Sequence, residues 1–362
     1  VNDALHPMMM NARPRRLLRL ALFALAPAAL AACDNSPNAP EGTPTRLEIV
    51  VNSVDNSVTL IPVDSTGVTP RTIGLGSVAA SPVTVAARNA VAVVPDGIYP
   101  FATLVNLRSG TVAGSVALPA NSGATGVAFL NDSIAIVGNS NRNTVSPVNV
   151  NRGTAGAEVA VGVYPQAVVE GTDGRLFVLN GNLVNFSPAG PGSVTVIDAA
   201  GHAAGTIALT GINPAAGVVR NGKLYVINSG TFGGNNSSLS VVNLSTLAEE
   251  RLVGGFGEFP GAIAAGPDGN IYVGVYGSGI VVWNPSTLTF VRAISNPIVP
   301  GGAPPVSALG FDYAGRLHTT NPGDCSSAGK AYRLVGATAV ERTVATGICP
   351  FAIAFADVPS TD

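Results

Sequence analysis

The sequence predicts an all-β fold closed into a ring of repeated sheets, and three observations point to it. Seven short runs of small apolar residues each lead into a tight turn, beginning at Pro82, Thr125, Pro165, Pro214, Pro260, Val306 and Pro350. The first six continue into a second hydrophobic strand; the last does not, and its missing partner stands at the other end of the protein, in residues 47–52. Only 11% of the residues are charged against 46% apolar, with 43 glycines and 27 prolines. That is the profile of many short strands joined by tight turns, and the opposite of a disordered chain. A fixed period with one unit split between the termini marks a circular array. The predicted class is a seven-bladed β-propeller of four-stranded antiparallel blades, closed where the C-terminal strand joins the N-terminal blade.

Each unit divides into strands A to D, counted from the axis outward. Strand A is assigned to residues 83–87, 126–129, 166–169, 215–219, 261–265, 307–310 and 351–355. Ala, Gly and Val dominate there because seven inner strands crowd one axis. Strand B follows Asp173-Gly174, Asn221-Gly222 and Asp268-Gly269, and Asx-Gly between two apolar runs is a strong hairpin signal. Strand C is assigned to residues 57–61, 193–197 and 239–242, ending in Asp or Asn turns that lead into strand D. In the split blade, residues 350–356 supply strand A and the chain from Leu47 supplies B, C and D, which leaves no open edge at the closure.

Leu224-Tyr225-Val226-Ile227-Asn228, followed by Ser240-Val241-Val242-Asn243-Leu244, resembles the YVTN-type repeat of YncE-like exported propellers. Leu176-Phe177-Val178-Leu179-Asn180, followed by residues 193–198, is similar. Gly162-Val163-Tyr164-Pro165, Gly211-Ile212-Asn213-Pro214, Gly257-Glu258-Phe259-Pro260 and Gly347-Ile348-Cys349-Pro350 are similar to the Gly-x-x-Pro that precedes strand A in that group. The likeness spans nearly all of residues 46–357 and implies a fold more than a function, since this fold hosts many activities. Blades 2 and 3 depart most. Val94-Pro95 stands where an Asn-terminated strand B is expected.

Residues 1–32 carry the pattern of a lipoprotein signal peptide: basic Arg13, Arg15, Arg16 and Arg19, then an apolar run over 20–30, then Leu30-Ala31-Ala32-Cys33. The last four resemble the bacterial lipobox, which implies cleavage before Cys33 and its lipidation. An ordinary secretory signal with an incidental cysteine is the alternative. Residues 33–45 follow as a Pro-rich flexible tether, and the propeller occupies 46–362. The expected location is the cell envelope, periplasm-facing or at the cell surface, held to a membrane through the lipid on Cys33. A formal net charge of −2 with no basic run beyond residues 1–32 makes nucleic acid a poor candidate as partner.

With Cys33 given to lipid, Cys325 and Cys349 remain as an even pair in an exported chain. Alternating strand directions put both on one face, the first in the B–C loop of blade 7 and the second in the following D–A loop. A disulfide is the expectation, with two reduced buried thiols as the alternative. It would close a loop of about 25 residues and contribute about 3 kcal/mol.

Catalytic chemistry finds few candidates. The inner strands carry Ala, Val and Gly, with Gln166 the polar exception and Glu170 and Arg220 at the far turn. His202 falls in a turn and His318 in a strand, where a packing role is favoured over a base. Two scattered histidines make no zinc site, so neither a metal nor a cofactor is assigned. Residues 267–273 look like the repeat of streptogramin lyases, which keeps a metal-assisted lactonase- or lyase-like enzyme as an alternative. Asp173 and Asp268, however, are explained as hairpin residues.

Turns of the A–B and C–D type are minimal, whereas the B–C and D–A loops carry insertions at 181–192, 229–238, 295–305 and 322–329. Binding concentrates in long loops on a rigid scaffold. The aromatics Tyr99, Tyr164, Phe186, Phe232, Phe259 and Tyr276 gather on that same side. The sequence therefore predicts a monomeric module that binds or scaffolds a protein or glycan of the envelope through its long-loop face. A purely structural surface protein is the other non-enzymatic reading.

Overall fold

The computed structural model describes residues 44–65, 69–76 and 80–360. The basic stretch, the apolar run, Cys33 and nearly all of the tether lie outside the described residues. Seven four-stranded antiparallel sheets form the blades of a ring. Their inner strands are Pro350–Val358, Ala86–Arg88, Ala124–Phe129, Pro165–Glu170, Pro214–Arg220, Pro260–Ala265 and Ala308–Phe311 for blades 1 to 7. Blade 1 is the split unit. Its inner strand pairs antiparallel with Thr45–Asn52, which continues through Ser57–Pro62 to Arg71–Gly74.

Two local departures from the sequence reading occur in blades 2 and 3. Strand A of blade 2 is confined to Ala86–Arg88 and pairs only with residues 91–93, short of the expected 83–87. Pro95, further along strand B, has no N–H to extend that ladder. In blade 3 the outer strand is broken into Thr154–Ala155 and Val159–Ala160, both paired with Thr144–Asn149. In blade 4 the B–C loop forms a small hairpin of Leu183–Val184 and Ser187–Pro188.

The B strands are apolar on both sides because each blade is sandwiched between two others. Leu176–Asn180, Lys223–Asn228 and Ile271–Val275 are buried almost throughout. An apolar cluster fills each of the seven blade-to-blade interfaces. The interface between blades 7 and 1 is the poorest, with only Val50, Ile61, Ala331 and Val344 as its buried members. Polar and covalent links compensate there. His318 is buried with Nδ1 at 2.9 Å from Glu48 Oε2 and Nε2 at 3.0 Å from Asp312 Oδ2. Arg316 Nε donates to the same Asp312 oxygen (2.6 Å) and its Nη2 to Asp64 (2.9 Å), while Arg333 donates to the Val63 carbonyl (2.7 Å). Burial raises the Asp312 carboxyl, but hydrogen bonds from Arg316 and His318 outweigh it, and the net direction is down. His318 is thus a packing residue, held in an ion cluster that crosses the seam.

A second device repeats inside the blades. Asn52, Asn139, Asn180 and Asn228 end their B strands fully buried, and each Nδ2 donates to two hydroxyls on strand C. The hydroxyl pairs are Ser57/Thr59, Thr144/Ser146, Ser193/Thr195 and Ser238/Ser240. The glycine of Gly-x-x-Pro lies against this clasp. A Cβ on Gly162, Gly211 or Gly347 would come within 2.8 Å of Asn180, Asn228 or Asn52 respectively. In blade 2 the clasp position belongs to Asp96, one residue beyond Pro95. Its backbone N–H donates to the Phe101 carbonyl and its carboxyl accepts from Thr103 Oγ1 at 3.0 Å.

Two outcomes follow from these contacts. Burial pushes the Asp96 carboxyl from 3.8 up to about 7. Its folded value lies above its unfolded one, so its burial removes stability as pH rises through that window. Asp96→Asn, which supplies the amide found in four other blades, is expected to stabilise by about 2–4 kcal/mol at pH 8 and by almost nothing at pH 3.5. Urea melts of both proteins across pH test this. His318→Ala leaves Glu48 and Asp312 buried with no histidine between them, and a loss of about 3 kcal/mol is expected in the same melts.

Candidate functional site

The Gly-x-x-Pro segments build the rim of the long-loop face. The residue before each proline has left-handed backbone: Tyr164 (φ 57°), Asn213 (58°), Phe259 (55°) and Cys349 (61°). This conformation is costly for a side chain other than Gly or Asn, and it is held by fixed neighbours on both sides. In blades 1, 4 and 5 the glycine lies against the Asn clasp, whereas in blade 6, whose strand B Ile271–Val275 has no such asparagine, Gly257 lies against Ile294 and Val275. The proline carbonyl accepts from the preceding blade: Thr125 Oγ1 to Pro165 (2.7 Å), Gln166 Nε2 to Pro214 (3.1 Å), Ser229 Oγ to Pro260 (2.7 Å) and Ser307 Oγ to Pro350 (2.6 Å). Thr84 Oγ1 makes the corresponding bond to Thr125 (2.6 Å). Side chains at the rim are therefore placed by the same contacts that hold neighbouring blades together.

The six predicted aromatics all lie on this face and sort into local groups. Tyr99 is half-buried and stacks on Phe101 with ring centroids 5.7 Å apart, so it belongs to the packing of blade 2. Tyr164 lines the mouth of the axial channel and meets Phe186 edge-on at 6.2 Å. Burial raises the Tyr164 hydroxyl pKa against the opposing hydrogen bond with Ser140. Phe186 is 81% exposed at the tip of the blade 4 hairpin, where Asn185 (φ 50°) and Phe186 (φ 61°) form a two-residue turn. The second place in such a turn favours glycine, so an exposed phenylalanine there gains nothing for the fold. Phe232, 92% exposed, leans on Phe259 at 5.1 Å.

Phe259 and Tyr276 are each a little over one-third exposed and share a cleft of about 550 Å³ between blades 5 and 6 with Asn235, Glu258, Ser278 and Ile294. Sequence reasoning missed Glu258, Ile294 and the exposed Val54, Ile98 and Val184, which add to the same face. Single aliphatic residues in loops carry no pattern that would have flagged them.

Charge is distributed as unevenly as aromatic surface. Asp55, Asp96, Arg142, Glu258 and Asp324 are the charged residues of the B–C and D–A loops. Asp96 is buried, and Arg142 is held by both oxygens of Glu158 at 2.8 Å each. Most ion pairs sit instead at the short turns or strand ends opposite, among them Arg88–Glu170, Arg175–Asp173, Lys223–Glu250 and Arg316–Asp64. Asp173 and Asp268 accept from the N–H groups of Arg175 and Asn270, as their hairpin role requires.

The axial channel, of about 500 Å³, is walled by the inner strands, including Val127, Ala167, Ala216, Ala262, Leu309 and Ile353. Thr84, Thr125, Gln166 and Ser307 are its polar side chains apart from Tyr164, and all four are spent on the inter-blade bonds. Among the described residues no three His, Cys, Asp or Glu side chains converge in a metal-holding group. Cys325 and Cys349 form a disulfide, with Cα atoms 4.6 Å apart, beside the closing seam on the long-loop face.

No family model matches the chain, and no curated protein matches it. Solved structures do, at the level of fold. Hydrazine synthase of Kuenenia stuttgartiensis superposes with a TM-score of 0.60 at 15% identity, over 80% of this chain and 92% of that one. A protein of unknown function from Desulfotomaculum acetoxidans gives 0.63 at 16% identity, over 86% and 99%. A chain of the mitotic checkpoint complex gives 0.57 at 16% identity, over 90% and 89%.

Phe186 and Phe232 contribute almost nothing to the fold in this arrangement. Phe186→Ala and Phe232→Ala are each expected to shift stability by less than about 0.5 kcal/mol. Thermal melting of the two variants checks this, and a larger loss would mean that the rings belong to the core.

Proposed function

We propose that this chain is an envelope lipoprotein of the YVTN-repeat, YncE-like kind, a binding or scaffolding module that engages a protein or glycan through its long-loop face. The observation that carries the reading is the concentration of exposed aromatic rings on the one face that is nearly free of ion pairs. Rings there are exposed in loops whose backbone is held rigid, and two of them, Phe186 and Phe259, occupy left-handed backbone that folding alone does not reward. Aromatic side chains on a rigid frame contribute large contact area at low entropic cost, as recognition surfaces require. The lipid on Cys33 and the tether would keep this face within reach of an envelope partner. The module acts as a monomer, and its role needs no cofactor.

The test is affinity capture from native envelopes with the tagged mature lipoprotein, beside a variant carrying Tyr164→Ala, Phe186→Ala, Phe232→Ala and Phe259→Ala. The variant is first shown to fold. Capture of a protein or glycan by the unmodified chain alone is the expected outcome. Equal capture by both would overturn the assignment of the face.

A further inference from the structure

We propose that the cleft between blades 5 and 6 binds an organic cation, the guanidinium or ammonium side chain of a basic segment in a partner protein. This rests on the long-loop face being a recognition surface and names the chemistry of one of its sites. Seventeen Asp and Glu side chains lie among the described residues, and all but one accept a hydrogen bond or join an ion pair. The exception is Glu258. It is exposed, lines the cleft beside Phe259 and Tyr276, and has no partner among the described residues. A carboxylate alone in water attracts a cation weakly. Beside aromatic faces the attraction grows, because the ring quadrupoles present negative charge to the same ion and part of the water is excluded.

The surroundings favour a cation over a neutral sugar. Asp55 and Asp324 share the sign of Glu258 on this face, and the one loop arginine, Arg142, is neutralised by Glu158. No lysine occurs in these loops, and apart from the Arg142–Glu158 pair their formal charges are all negative. The pocket of about 550 Å³ is ample for one long basic side chain. Guanidinium is the better guest than a bare ammonium, being planar and more weakly hydrated against a ring.

The cleft is also held in shape before any ligand arrives. Ser237 Oγ donates to the Gly257 carbonyl at 2.5 Å, and the Tyr276 N–H donates to the Phe259 carbonyl at 3.2 Å. Gly257 has φ 78°, where a side chain is strained, and a Cβ there would sit 2.6 Å from the Ile294 side chain and push on this wall. In the facing loop, the Asn236 carboxamide oxygen accepts both the N–H and the hydroxyl of Thr231, the residue before Phe232.

The experiment titrates the mature propeller with three blocked tripeptides that differ in the central residue: arginine, trimethyllysine and acetyl-lysine. Binding is read from the ring signals of Phe259 and Tyr276 by NMR. The two cationic peptides are expected to shift these signals saturably and the neutral acetyl-lysine peptide to leave them in place. Glu258→Gln, conservative and at a free side chain, is expected to weaken the cationic peptides roughly tenfold. Added salt should weaken them in the parent protein more than in this variant. Equal shifts from all three peptides, or an unchanged affinity in Glu258→Gln, would overturn the proposal. So would shifts of the same rings by a neutral oligosaccharide that the cations do not reproduce, which would give the cleft to a glycan. Loss of cation binding with envelope capture intact would sink this chemistry and leave the recognition face standing. Loss of capture alone would do the reverse.

Discussion

Ring closure is the constraint on which the rest of this structure depends. A propeller has no terminal blade that can stand alone, because each apolar B strand needs a blade on either side. The chain meets this demand by splitting blade 1 between its two ends, so Thr45–Asn52 and Pro350–Val358 must find one another. Their seam with blade 7 has the smallest apolar cluster of the seven interfaces. Hydrophobic burial is therefore weakest where the chain has the most entropy to lose. The compensation comes from directed interactions. The His318 cluster spans the interior of the seam, Ser307 donates across it to Pro350, and Cys325–Cys349 ties the long-loop edge. Ions in a core give little net stability compared with apolar packing, but they tolerate no misregistered partner. Here that selectivity fits the task of closing a ring in one register.

The same economy links the repeat to the candidate site. An Asn clasp backs the glycine in every such blade but blade 6, a hydroxyl or amide from the preceding blade fixes the proline carbonyl, and the residue just before the proline is left projecting at the rim. That residue can change without loss of the frame, and the chain places Tyr, Asn, Phe and a disulfide Cys there in different blades. A scaffold built this way separates stability from recognition. The strained positions are affordable because the contacts around them belong to the ring itself.

Electrostatics divides the two faces along the same line. Short turns and the strand ends beside them carry paired charges, some capping a hairpin, as Asp173 does, and others bridging blades, as Arg316–Asp64 does. The long loops carry amides, glycines and rings instead, with Glu258 as a carboxylate that has no structural employment. Fold likeness to hydrazine synthase and to a checkpoint-complex chain at 15–16% identity adds nothing about ligands, since the architecture outlives any particular site. Function has to be argued from the loops.

Much of the fold was legible in the residues alone, and for a physical reason. A propeller blade is a meander of hairpins, so its contacts are local, and Asp173-Gly174 or Asn221-Gly222 announces a turn without help from distant residues. Blade number, closure by the C-terminal strand and the Cys325–Cys349 bond followed from period, parity and alternating strand direction. The gathering of the six aromatics on one side was legible by the same alternation, but their grouping was not. That Phe232 belongs with Phe259 depends on how loops from different blades lean together, and that Tyr99 stacks on Phe101, two residues on, depends on the turn between them. Asp96 as the counterpart of an asparagine was hidden by Pro95, which shifts the motif by one residue. His318 and Glu48 stand 270 residues apart, and only the closed ring brings them to 2.9 Å. The idleness of Glu258 could be seen only after every other described carboxylate had found its partner, and those partners are set by tertiary contact.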